Sequence, residues 1–303
     1  MLVTRSRIPV PSLSLLLQLR PLLALLFVAG LLAACASVPG VAERTESARL
    51  LAEGAGMLPI TLATALPLPL KGFARLQEAH AALVVYIEGD GRAWINRQTP
   101  SSDPTPINPV ALKLAVLDGA ANVVYLGRPG QYLEAMPNLT VDRRYWLSAR
   151  FAPEVVAAYV AAVRELAGSV DATAIELVGF SGGGAIAALV AARLQQQSPG
   201  LPLSLRTVAG NLDTAAWTHL RKISPLEGSL NPADEAATLR DIPQIHLLGL
   251  QDRQVPRAVF EAYAAKLGSR RCLRVVEVNA AAHAGPWEEA WRGVLTEPIT
   301  CAP

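Results

Sequence analysis

Only three cysteines, three methionines and four histidines occur in 303 residues, and aromatic side chains make up 5% of the chain. The cysteines at 35, 272 and 301 form no C-x-x-C pair and the histidines at 80, 219, 246 and 283 are scattered. No metal ion and no cofactor are therefore expected. Few aromatics against many alanines and leucines argue against an aromatic-rich all-β sandwich and for helices packed on a sheet. A strong charge imbalance is also lacking. The formal net charge is +2, but Arg5, Arg7 and Arg20 precede Cys35 with no acidic residue among them, which leaves the remainder at −1. Such a chain has no electrostatic footprint for nucleic acid, and pairs such as Arg143-Arg144 and Arg270-Arg271 read as solvated faces. There is no internal repeat and no low-complexity segment beyond alanine-rich helices.

Residues 1–34 read as an export signal: basic residues, an apolar run from Leu22 to Leu32, then small residues before a cysteine. A transmembrane anchor is the competing reading, but Arg20 and Pro21 interrupt the apolar stretch, and the run beyond them falls short of the ~20 residues a spanning helix needs. Leu32-Ala33-Ala34-Cys35 resembles the lipobox of bacterial lipoproteins, in which a peptidase cuts before the cysteine and its thiol carries a diacylglycerol. The resemblance implies a lipoprotein held to the membrane through Cys35 and labelled by palmitate. Ala36, where an aspartate would signal retention at the inner membrane, points to the outer membrane facing the periplasm.

Half of the chain is apolar (51%), and about 250 residues after the signal suit one domain with a sizeable core. Residues 35–45 read as lipidated cysteine and tether, with Pro39 and Gly40 in it, and 46–303 as the folded domain, opening on a helix over 46–53. From Leu83 onward short apolar runs alternate with longer helical ones, the pattern of βα units and a mostly parallel sheet. Strands are expected at 83–88, 122–126, 174–180, 203–209, 244–250 and 273–279, and helices at 109–118, 153–166, 184–196, 257–267 and 286–295. Leu83-Val84-Val85-Tyr86-Ile87 does not alternate, as befits a strand buried on both faces. Segments 58–64 and 72–76 suit an antiparallel start to the sheet. The predicted class is α/β, with helices on both faces.

Gly179-Phe180-Ser181-Gly182-Gly183 is a G-x-S-x-G motif, and its meaning comes from its place between a predicted strand and a predicted helix. A serine hydroxyl is a poor nucleophile at neutral pH, so the motif requires a histidine base and a carboxylate to orient it. His283 follows the last predicted strand, at the carboxyl end of the sheet where Ser181 also sits. His246 lies within a strand, His219 in a helical stretch and His80 before a strand, which suits structural roles. Asp252 ends a strand in a polar turn and is the preferred acid, with Asp213 after the preceding strand as its rival.

The order Ser181, Asp252, His283 is that of the α/β-hydrolases, which the chain resembles over nearly all its length after Cys35. Tyr86-Ile87-Glu88-Gly89-Asp90-Gly91, Asp103-Pro104-Thr105-Pro106 and Ser229-Leu230-Asn231-Pro232 more particularly resemble a bacterial group of exported hydrolase-like proteins of unassigned substrate. The resemblance implies a serine hydrolase that cleaves carboxylic esters or thioesters of a small-molecule or lipid-like substrate through an acyl-serine. Amide or peptide cleavage on the same triad, and a non-catalytic binding or assembly role, are the alternatives. It also implies an oxyanion hole built from the Gly182 amide and that of Asp90 or Gly91. Where the family often has His-Gly, this chain has Glu88-Gly89, which puts a carboxylate near the nucleophile, as scaffold or as gate. Long loops at 92–107 and 128–147 carry Trp94, Tyr132, Tyr145 and Trp146 with Arg92 and Arg128, and serve either as substrate walls or as rim packing. The stretch between Asp213 and Asp241 leaves room for a small cap at most.

Cys272 and Cys301 remain once Cys35 is assigned to lipid. If 273–279 is the last strand, about seven residues climb roughly 23 Å and the following helix of about ten returns roughly 15 Å. The chain then brings Cys301 back to the start of the strand, so a disulfide between the two is expected.

Overall fold

The computed structural model describes residues 38–133 and 142–302. Cys35 and the export signal lie outside the described residues. The fold is that of the compact unit from Gly40 onward. Its first helix, α1 (Val41–Glu53), starts five residues ahead of the expected 46. The reason is local: Gly40 is an extended N-cap, and Glu43 places a carboxylate in the first turn, where the helix dipole favours it.

The sheet has eight strands in the order β1-β2-β4-β3-β5-β6-β7-β8. β1 (Leu58–Leu62) and β2 (Leu70–Leu76) pair antiparallel, and β2 joins β4 (Asn122–Leu126) antiparallel. From β4 through β3 (Leu83–Ile87), β5 (Ile175–Phe180), β6 (Leu203–Val208), β7 (Gln244–Gly249) and β8 (Leu273–Val278) every pairing is parallel. All residues of β3, β4 and β7 are buried, as strands covered on both faces must be. The edges differ: β1 is largely exposed and β8 half exposed, with Arg274 and Glu277 in contact with solvent.

Helices cover both faces. The helix α2 (Val110–Ala115) shares one apolar cluster with α1, Trp287 and Trp291. On the other face α3 (Pro153–Ser169) and α4 (Gly182–Gln197) bury Val155, Tyr159, Ile186 and Leu189 against Leu83, Val85 and Leu177. Each such side chain contributes about 1.5–3 kcal/mol on leaving water. Between β6 and β7 lie α5 (Thr214–Arg221), a 3-10 turn at Pro232–Glu235 and α6 (Ala236–Leu239). After β7 comes α7 (Arg257–Leu267), and after β8 comes α8 (Glu288–Leu295). Among the described residues no helix is long and apolar enough to cross a membrane.

A disulfide joins Cys272, at the foot of β8, to Cys301 beyond α8, closing a separation of 29 residues. The loop after β3 is fixed at several points. The buried Arg44 of α1 donates to the Thr105 carbonyl, the Tyr132 amide donates to Thr105 Oγ1 at 2.8 Å, and Trp146 Nε1 donates to the Ser101 carbonyl at 3.3 Å.

Candidate active site

Ser181 sits between β5 and α4 with φ 53° and ψ −119°, a conformation that non-glycine residues seldom adopt. The turn is held from both sides: the Ser181 amide donates to the Val208 carbonyl at 2.9 Å, and the Ser181 carbonyl accepts from the amides of Gly184 and Asn211 at 3.0 Å each. Its glycines are required by close approach. A β-carbon on Gly179 would lie 2.3 Å from the Gly183 carbonyl oxygen, and one on Gly183 would lie 2.1 Å from that of Ile87. Strain of order 1–3 kcal/mol at such a residue persists only where the surroundings fix it.

The structure brings Ser181, His283 and Asp252 together. His283 Nδ1 is 2.8 Å from Asp252 Oδ2 and its Nε2 is 2.9 Å from Ser181 Oγ. A carboxylate only accepts, so Nδ1 carries the proton and donates it; Nε2 is then bare and accepts from the serine hydroxyl. Asp252 is nearly buried, and its Oδ1 accepts from the amides of Gln254 and Val255 at 2.7 and 2.9 Å. The imidazole is steadied by Phe180, with ring centroids 5.1 Å apart, and its backbone carbonyl accepts from Trp287 Nε1 at 3.1 Å.

Asp213 does other work. Its side chain caps α5 through the Ala216 amide at 3.0 Å, accepts from Asn231 and pairs with Lys266. His246 is enclosed in β7 between Thr207 Oγ1 and Gln244 Oε1, and burial lowers its pKa to about 3, so it stays neutral. His80 and His219 are exposed.

Gly182 opens α4, so its amide has no helical carbonyl to bond, and among the described residues it finds no other acceptor. The amides of Asp90 and Gly91 are likewise without an acceptor among the described residues. The Asp90 side chain lies against Gly182, where a β-carbon would stand 2.2 Å from Asp90 Oδ1. Two buried arginines hold it: Arg128 Nη1 lies 3.1 Å from Oδ1, and Arg150 Nη1 pairs with Oδ2. Burial pushes the Asp90 carboxyl up, but Arg150 and Arg128 outweigh it and keep its pKa below the usual range. The sequence gives no sign of this cluster beyond the Glu88-Gly89-Asp90-Gly91 departure from the family pattern.

Glu88 is buried at the end of β3. Its Oε1 accepts from the Gly89 amide at 2.8 Å and the Ala111 amide at 3.4 Å, and its Oε2 lies 3.1 Å from the Tyr125 hydroxyl, itself 2.8 Å from that of Tyr132. Burial is the largest influence and lifts its pKa to about 7.

A cavity of about 1040 Å³ opens over Ser181 and His283. The aromatic loops divide between the two expected roles. Trp94, 43% exposed, lines the cavity with Arg92, whereas Tyr132, Tyr145 and Trp146 are buried in the packing and Arg128 is spent on Asp90. Trp217 of α5 and the chain from Arg221 to Leu226 also line the cavity, a small wall and not a closed lid. Among the described residues no group of three or more His, Cys, Asp or Glu side chains could hold a metal ion.

No family model and no curated protein matches the sequence. Solved structures do resemble the fold. Est1E from Butyrivibrio proteoclasticus is similar with 11% identity over 78% of this chain and 95% of its own, at a TM-score of 0.51. The Pyrococcus furiosus esterase Pf2001 has 11% identity over 81% and 91%, at 0.53. The Pyrococcus horikoshii acylaminoacyl peptidase has 13% identity over 79% and 40%, at 0.53. With a mostly parallel eight-stranded sheet, a strained serine between β5 and α4, and these relatives in shape, the chain has the α/β-hydrolase fold.

Proposed function

We propose that the chain is a serine hydrolase that cleaves carboxylic esters or thioesters through an acyl-Ser181 intermediate. The observation that carries the proposal is His283, hydrogen-bonded on one side to Asp252 and on the other to Ser181. In this reading Ser181 Oγ attacks the carbonyl carbon as its proton passes to His283 Nε2. Asp252 stabilises the imidazolium and keeps the ring in the required tautomer. The oxyanion is received by the Gly182 amide and by that of Asp90 or Gly91, donors worth about 3–4 kcal/mol each in comparable sites. His283 then gives its proton to the leaving oxygen or sulfur. Water, deprotonated by the same imidazole, releases the acid.

A carboxylate beside the oxyanion would oppose this chemistry, and Arg128 and Arg150 remove that objection by neutralising Asp90. Peptide or amide cleavage uses the same groups and is the second reading, favoured by the likeness in fold to an acylaminoacyl peptidase. Nitrophenyl esters of rising chain length, run beside aminoacyl anilides and peptides on the domain from residue 40, test the two. Ester turnover that Ser181→Ala abolishes supports the proposal. Turnover of anilides and peptides alone moves it to the second reading, and turnover of neither refutes both.

We also propose that the chain is lipidated on Cys35 and anchored to the outer membrane, on the strength of the Leu32–Cys35 pattern after an apolar run. A diacylated cysteine supplies two acyl chains, enough for stable anchoring where one is marginal. Cys35→Ser is expected to abolish incorporation of radioactive palmitate; label retained in that variant refutes the anchor.

A further inference from the structure

The cavity over Ser181 carries an excess of positive charge that the triad does not use. Arg92, Arg97, Arg221 and Lys222 all line it, and none forms an ion pair with a carboxylate among the described residues. The acids that share the cavity cannot balance them. Asp90 is already paired with two arginines, and Glu88 is enclosed by Gly89, Ala111 and Tyr125.

The backbone that carries the cations is fixed by the fold. Arg92 and Arg97 sit on the loop pinned through Ser101 and Thr105, and the Arg92 amide donates to the Pro104 carbonyl at 2.9 Å. Arg221 Nη1 donates to the Arg253 carbonyl at 2.6 Å. Lys222 ends α5 in a left-handed conformation, φ 52°, at a position where glycine is the usual occupant. A cation at a helix C-terminus is favoured by the dipole, which accounts for part of the second pair. The first pair, on a loop, has no such reason. The same cavity is lined by apolar groups, Ile107, Phe180, Ile223 and Val255, suited to a short aliphatic stretch.

We infer that the cavity takes an acyl substrate bearing an anionic oxygen group, a carboxylate or a phosphate, held by Arg92, Arg97, Arg221 and Lys222, an inference that rests on acyl transfer at Ser181. An anion entering a cavity lined by four cations gains charge-assisted hydrogen bonds that a neutral chain of equal length lacks. The same field raises the rate of encounter at low salt.

The test compares three 4-nitrophenyl esters with four aliphatic carbons beyond the ester carbonyl: the neutral valerate, the adipate monoester with a terminal carboxylate, and the 5-phosphonopentanoate. One or both anionic esters are expected to exceed the valerate in kcat/KM by about tenfold or more, with the margin shrinking as salt is added. The order of the two identifies the anion. Arg92→Gln with Arg97→Gln, and Arg221→Gln with Lys222→Asn, which tolerates the left-handed backbone, are each expected to lower the anionic-to-neutral ratio. Arg164→Gln, on α3 away from the cavity, is expected to leave it unchanged. Turnover of valerate with no anionic preference, or a preference indifferent to both double variants, overturns this inference and spares acyl transfer. No turnover of any ester overturns acyl transfer itself.

Discussion

Replacing Glu88 by glutamine is expected to change the pH dependence of stability in a direction that burial dictates. Lifted from an ordinary 4.5 to about 7, Glu88 holds its proton in the folded state where the unfolded chain has released it. A raised carboxyl pKa favours folding most at low pH, and that contribution is lost as pH rises through the folded value. Between pH 5 and pH 8 the loss is about 2.5 kcal/mol. Glutamine imitates the neutral form: its oxygen accepts from the amides of Gly89 and Ala111, and its nitrogen meets the oxygen of Tyr125, whose hydroxyl donates to Glu88 in the wild type and can turn to Tyr132 in the variant. His246 acts in the opposite sense. Its folded pKa near 3 lies below the ordinary 6.5, so its contribution is present above 6.5 and lost as pH falls. The wild-type profile is therefore a composite, and the informative quantity is the difference between the two proteins. Urea unfolding at half-unit steps should show a Glu88→Gln advantage that grows by roughly 2–3 kcal/mol between pH 5 and pH 8. Parallel profiles would refute the placement of a protonated acid at the end of β3.

Asp252→Ala should reduce ester turnover by orders of magnitude, as loss of an orienting carboxylate does, while Asp213→Ala should chiefly destabilise α5, by about 1 kcal/mol for the lost cap; kinetics beside urea midpoints separate them. Removing the Cys272–Cys301 bridge by paired serines should cost about 3–4 kcal/mol in the chain-entropy account for a separation of 29 residues, with kcat unchanged. Arg128→Leu leaves Asp90 with one partner and should cost roughly 3 kcal/mol of stability together with a fall in kcat; Asp90→Asn in the same protein should restore part of both, and no restoration would deny the coupling.

Much of this arrangement is legible in the amino-acid sequence. The strands of the parallel sheet stand out as unbroken apolar runs, and their expected ends agree with the structure to within a residue at β3, β5, β6, β7 and β8. Ser181, Asp252 and His283 are legible because each follows a strand, and parallel strands deliver their carboxyl ends to one edge. Features made by distance in sequence are not. Asp90 meets its arginines across 38 and 60 residues, and no local pattern records such pairings. The helix α5 is legible only as a helical stretch around His219, without bounds, because its eight residues are short and mixed in polarity, although Asp213, a candidate catalytic acid by sequence, is its N-cap signal. The early start of α1 is hidden by Pro39 and Gly40, which read as tether and instead mark the helix boundary.

The central claim is that Ser181 is a nucleophile activated by His283. Its most direct measurement is the mass of the peptide containing Ser181 after exposure to a fluorophosphonate. A single phosphonyl adduct on that serine, absent from Ser181→Ala and strongly reduced in His283→Ala, is the predicted result. An unmodified peptide under conditions that label a control serine esterase, or equal labelling in the His283→Ala protein, would contradict it.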